Sequence, residues 1–247
     1  MDFEQHIYGM TEEGEAAIVY ILRAANGAEV CISNYGASIL AVKLPNDKGF
    51  GEDVVVSPAN FEAMLQDREY IGRSIDWSVG LRREGLHNTM WESRFETNRV
   101  VMSHEVEGMT IEAIFDFDDD MSLEVTYIAR GEKDSNIDIA PNIFFKLANN
   151  AELKTNANDF RLVEELCPKR GEIDIEKQNY QRGILTSIAT LRNTHHQMEI
   201  LTSKKGLNLY MGERGESIAL TPRSLSQQST PAGELYCEKV VYKFSKL

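Results

Sequence analysis

The chain has 247 residues, 42% of them apolar, enough to bury a sizeable core, and an all-β sandwich of this length often forms a single domain, here spanning 1–247. Lys plus Arg number 26 against 39 for Asp plus Glu, giving a formal net charge of −13 that repels phosphate backbones and anionic membrane surfaces. Nucleic acid and lipid surfaces are therefore not expected partners.

The opening residues, MDFEQHIYGM, contain no basic run followed by an apolar stretch, and no segment of the chain reaches the ~20 apolar residues that span a bilayer. AAIVYILRA, AEVCIS, ASILAVKL and DVVVS then read as the first four strands. Asn26-Gly27 between the first two is a favoured hairpin pair because both residues tolerate positive φ, so these strands are expected to pair antiparallel. Pro58 to Gln66 places Phe61, Met64 and Leu65 at helical spacing, with Pro58 suited to a first turn, and predicts one short helix.

Downstream, WESRFE, RVVMSHEV, MTIEAIFDF, SLEVTYIAR and NIDIAPNIFFKLA keep the two-residue alternation, with DDD and GEKDSN as turns. The acidic run Asp116 to Asp120 lacks the glycine and terminal glutamate of a calcium loop and reads as a hairpin tip. ILTSIATLR, QMEILTS, GLNLYMG, SIALTP and LYCEKVVYKFS supply the remaining strands, and no repeat or heptad interrupts them. His195 and His196 follow the Asn193-Thr194 turn and, as strand neighbours, point to opposite faces; an exposed hairpin tip is expected there rather than a metal site. Cys31, Cys167 and Cys237 are odd in number and lack C-x-x-C spacing, which fits reduced thiols in a cytosol. No metal or other cofactor is expected.

Asp138 to Asn149, DIAPNIFFKLAN, resembles the core strand of the aldose 1-epimerase (galactose mutarotase-like) family, which reads close to N-H-S-Y-F-N-L. Asn26-Gly27, Val30, Ile32, Asn34-Tyr35-Gly36-Ala37, Ile39, Pro45 and Asp53-Val54-Val55 resemble that family's opening strands. Tyr70-Ile71-Gly72-Arg73, Leu86-His87, Trp91, Cys167-Pro168-Lys169-Arg170-Gly171-Glu172, Gly233-Glu234 and Tyr242-Lys243-Phe244 resemble later motifs in the same order. Order across nearly the whole chain is what makes these short matches specific. The resemblance implies a large antiparallel β-sandwich of the mutarotase-like kind and a sugar or sugar derivative as partner.

It does not imply the usual chemistry. Anomer interconversion needs an acid and a base on opposite sides of the ring. The family's histidine, which donates a proton to the ring oxygen, is matched by Asn142, and its glutamate base by Thr221 in Ser217-Ile218-Ala219-Leu220-Thr221-Pro222. A threonine hydroxyl with no base beside it does not accept a proton near neutral pH. The family arginine is matched by Trp77, and of the usual constellation only His87 remains.

Three readings follow. The first is a non-catalytic sugar-binding protein whose pocket is lined by Arg73, Trp77, His87, Asn142, Phe144 and Thr221, with Trp77 stacking under a sugar ring. The second is an isomerase with a rebuilt acid and base, His87 with Asp76 or Glu84. The third is a structural or partner-binding protein with a vestigial, side-chain-filled cleft. Alternation puts Asn142 and Phe144 on one face and Phe145 on the other.

Overall fold

The alternation of the sequence becomes three large antiparallel sheets in the computed structural model, which describes residues 2–46, 51–78, 85–147, 151–155, 172–212, 216–225 and 229–247. Glu84 and Cys167 lie outside the described residues. The first sheet is a meander in chain order: Asp2–Met10, Ala16–Arg23, Glu29–Ser33, Ser38–Pro45 and Gly51–Asp53. Its first strand is absent from the sequence reading. Asp2–Met10 is an edge strand with no side chain fully buried, so no buried face imposes a two-residue pattern on it. The Asn26-Gly27 hairpin forms as expected, with Ala16–Arg23 paired to Glu29–Ser33 and Gly27 at φ 87°.

This sheet is covered on both sides, which explains why VYIL reads as a continuous apolar run. Tyr20 and Leu22 point into the main core, while Val19 and Ile21 pack with Phe61 and Met64 of the helix Phe61–Gln66. The helix begins later than Pro58. Asn60 caps it, its side-chain oxygen accepting from the Ala63 amide at 2.8 Å, which sets the first turn at Phe61 and leaves Pro58 before it.

The second sheet has eight strands in the order Glu152–Thr155, Thr186–Arg192, His196–Thr202, Leu235–Lys246, Ser122–Gly131, Met109–Phe117, Arg99–Val106 and Glu92–Glu96. Along Met109–Phe117, Ile111, Ala113, Phe115 and Phe117 are buried and the residues between them are not. Leu235–Lys246 lies in the interior of the sheet, bonded on one side to Ser122–Gly131 and on the other to His196–Thr202. Asp118 at the tip of the acidic hairpin accepts from the amides of Asp120 and Ser122, so the run is a turn built on its own side chain.

The third sheet runs Glu172–Glu176, Gly206–Met211, Ser217–Arg223, Phe144–Lys146, Val55–Val56. One apolar cluster joins the inner faces of all three sheets, including Leu22, Phe115, Val125, Phe145, Leu220 and Tyr242. Burial of each such aliphatic or Phe side chain stabilises by about 1.5–3 kcal/mol. No helix among the described residues is long and apolar enough to cross a membrane. Cys31 and Cys237 are free thiols.

His195 is exposed in its turn, but His196 corrects the expectation of an exposed pair. It opens the strand His196–Thr202, is 6% exposed, and neither ring nitrogen has a hydrogen-bond partner. The ring borders a small cavity of about 30 Å³ among Leu44, Phe145, Leu191, Met198 and Phe244.

Candidate functional site

The third sheet provides the floor of a second cavity, of about 160 Å³. Asn208 stands opposite Thr221 and Tyr210 opposite Ala219, while Phe144 pairs with Ala219 from the other side. Alternation therefore aims Asn208, Tyr210, Thr221, Ala219 and Phe144 from three strands at one space. Phe144 meets Tyr210 edge to face, with centroids 6.0 Å apart. Phe145 points the other way, into the core against Tyr242.

Asn142 precedes Phe144 on the same face and is buried. The Thr221 hydroxyl donates to its Oδ1 at 3.4 Å, so these two residues, singled out by the sequence resemblance, face each other in the cavity. The Asn142 amide nitrogen donates to the carbonyls of Glu69 at 2.8 Å and Tyr70 at 3.4 Å. Gly72 fixes the backbone of this pair. Its amide donates to the Asn142 carbonyl, and its carbonyl accepts from Ile39. At φ +77°, with an added Cβ only 2.2 Å from the Ile39 oxygen, no other residue fits.

The wall opposite the floor comes from the segment after the helix and from Trp77. Asp67 accepts from the amides of Glu69 at 2.9 Å and Ile71 at 2.7 Å, turning the chain so that Arg68 and Glu69 line the cavity. Trp77 is half-buried in the wall, with the Arg223 guanidinium 4.9 Å from the centre of its ring. Its amide donates to the Asp138 carbonyl at 2.9 Å. The Asp138 carboxylate is itself anchored: Lys204 donates to it at 2.6 Å, and the Ser224 amide and hydroxyl donate at 3.0 and 3.2 Å.

Of the residues singled out from sequence, Trp77, Asn142, Phe144 and Thr221 share this cavity. Arg73, Asp76 and His87 are not among the residues that line it. Arg73 is fully buried, sandwiched between the rings of Tyr35 and Tyr70 at 5.5 and 5.3 Å, and donates to Met64, His87 and Asn88. Burial pulls its guanidinium below the usual value, and Asp67 at 3.8 Å opposes that shift. Its geometry is that of a clamp on the loops behind the cavity. Asp76 is fully buried and accepts from the amides of Ser78 and Asp138, both at 3.0 Å. His87 is buried against Tyr70, ring centroids 4.3 Å apart, at the bend where Gly36 leaves no room for a Cβ. Glu84 lies outside the described residues.

Arg68, Glu69, Asn208, Tyr210 and Ala219 are the lining residues that sequence reasoning missed. The Tyr210 hydroxyl donates to Glu69 at 3.5 Å, and the Asn208 amide donates to Asp174 at 2.9 Å. A signal existed for two of them: in GLNLYM the alternation sets Asn208 and Tyr210 on one face. Among the described residues, no group of three or more His, Cys, Asp or Glu is placed to hold a metal ion.

No family model matches the sequence, and no curated protein matches it. Solved structures do. Galactose 1-epimerase from Lactobacillus acidophilus NCFM superposes with a TM-score of 0.81 at 15% identity over 99% of this chain and 99% of that one. The GalM/aldose epimerase homologue from C. elegans gives 0.78 at 13% identity, covering 94% of this chain and 100% of the other. A galactose mutarotase-like protein from Clostridium acetobutylicum gives 0.68 at 9% identity, covering 99% and 98%. The chain thus has the all-β sandwich fold of the galactose mutarotase and aldose 1-epimerase-like proteins.

Proposed function

We propose that this protein binds a carbohydrate in the cavity between Trp77 and the third sheet, and does not interconvert its anomers. The observation that carries this reading is the facing pair Asn142 and Thr221. An amide and an isolated hydroxyl do not exchange protons with a sugar near neutral pH, so the two positions can hold a ligand without driving ring opening. Trp77, Phe144 and Tyr210 offer the apolar faces against which a pyranose ring packs, and the amide and hydroxyl oxygens between them suit sugar hydroxyls. An open cavity of about 160 Å³ also speaks against a vestigial cleft filled by its own side chains.

Calorimetric titration with a panel of hexoses and hexose phosphates tests binding, and polarimetry of freshly dissolved α-D-glucose and α-D-galactose with a no-protein control tests turnover. Heat of binding with no acceleration is the expected result. Silence across the panel would remove the binding reading. Acceleration rising with protein concentration would replace it with an isomerase.

A second reading draws on Glu69, whose carboxylate lines the cavity 3.5 Å from the Tyr210 hydroxyl. That carboxylate and phenol are titratable groups within the cavity, unlike Asp76 and His87. Acceleration lost in Glu69→Gln and kept in His87→Ala would assign catalysis to this pair.

A further inference from the structure

Thr221 lines the cavity, and Arg223, two residues further along Ser217–Arg223, stands on the same face of the third sheet. Arg223 is not among the residues that line the cavity. Its guanidinium lies instead over the ring of Trp77, which does line it, 4.9 Å from the ring centre. The backbone around that ring is held at successive peptide groups. The Trp77 amide donates to the Asp138 carbonyl at 2.9 Å, the Trp77 carbonyl accepts from Arg223 Nη2 at 3.4 Å, and the Ser78 amide donates to the Asp76 carboxylate at 3.0 Å. These bonds place the Trp77 backbone but leave two side-chain torsions, which what packs on the indole decides. A guanidinium suits that task, being planar, weakly hydrated, always charged and attracted to the negative face of an indole. The Arg223 side chain is 19% exposed, and the Asp138 carboxylate stands 4.0 Å from its Nε, so the charge facing the ring is itself held in place.

We propose that Arg223 is a positioning residue for the sugar site, bracing the Trp77 indole in the orientation that walls the cavity, a role that rests on the carbohydrate reading above. Arg223 acts on the ligand through Trp77 and not by contact. The brace also ties the cavity wall to the interior, because the carboxylate beside Arg223 is the one that accepts from buried Lys204.

The test compares Arg223→Met, which keeps the length of the side chain but removes its plane and charge, with Arg223→Lys, which keeps the charge. Acrylamide quenching of tryptophan fluorescence reads the wall without any sugar, because Trp91, the other of the chain's two tryptophans, is 1% exposed. The quenching constant should rise about twofold in Arg223→Met as the ring loses its cation–π partner, and less in Arg223→Lys. Calorimetric titration with D-glucose and D-galactose should show affinity reduced roughly two- to fivefold in Arg223→Met. In a Trp77→Ala background the same substitution should weaken binding no further, since the brace then has nothing to hold. Unchanged quenching in Arg223→Met would overturn the brace whether or not a sugar binds. Raised quenching with undiminished affinity, or an equal loss of affinity in the Trp77→Ala background, would overturn its role in binding. Raised quenching in a protein that binds neither hexose would overturn the positioning role together with the carbohydrate reading and leave a purely structural contact.

Discussion

Asp138→Asn keeps the size of the side chain and removes the charge that neutralises Lys204. The ammonium is 1% exposed, and its other partner is the Ile139 carbonyl at 2.6 Å. Breaking a buried pair in this way costs about 3–5 kcal/mol, because an uncompensated charge stays in the interior. For a chain of this size roughly 2–4 °C of melting temperature goes with each kcal/mol, so a drop of roughly 6–20 °C is expected. Lys204→Met should cost less, about 1–3 kcal/mol, because Asp138 keeps both Ser224 donors and Arg223 stands 4.0 Å away. Adding Lys204→Met to Asp138→Asn should therefore restore part of the loss. Urea titration and thermal melts followed by circular dichroism measure all three variants. An Asp138→Asn cost below about 1 kcal/mol, or a double variant no more stable than Asp138→Asn, would refute the view that an unpaired Lys204 dominates.

Trp77→Ala should weaken sugar binding by roughly two- to thirteenfold, the worth of an aromatic face at about 0.5–1.5 kcal/mol, with an unchanged circular dichroism spectrum; undiminished affinity by calorimetry would take Trp77 out of the site. Burial pushes the Lys177 amine down to about 8 from 10.5, with Glu238 opposing the shift. The folded value lies below the unfolded one, so its stabilising contribution is complete above 10.5 and is lost as pH falls through about 8. Wild-type stability relative to Lys177→Met should consequently rise between pH 8 and 10.5, and urea titrations showing a constant difference would contradict this. His196→Leu removes two buried nitrogens without partners and should stabilise by about 1–3 kcal/mol, read as a higher urea midpoint with unchanged slope.

The sheets were legible because Met109–Phe117 and Ser122–Gly131 bury one face and wet the other, which writes a period of two into the residues. Asp2–Met10 was not legible because an edge strand with little burial carries no such constraint. Trp77, Asn142, Phe144 and Thr221, which share one cavity, were singled out through ordered motifs. Glu69 escaped because a turn set by Asp67 aims it, and turns leave no periodicity. Asn208 and Tyr210 escaped because their place beside Thr221 and Ala219 depends on pairing between strands, which one strand's pattern does not report. Arg73 and His87 show the converse: a motif match located the neighbourhood but not which side of the loop each side chain would take.

The interior position of Leu235–Lys246 sets the order of assembly. Residues 92–131 can form a four-stranded meander as they leave the ribosome, but its link to Thr186–Arg192 and His196–Thr202 runs through that late strand. Until residue 246 is available, two half-sheets expose unpaired edges toward each other, the geometry that invites pairing with other chains. Nascent-chain crowding, a chaperone that covers strand edges, or a proteolytic cut near 230 should therefore bear on yield far more strongly than the modest burial of Leu235 and Lys246 themselves suggests.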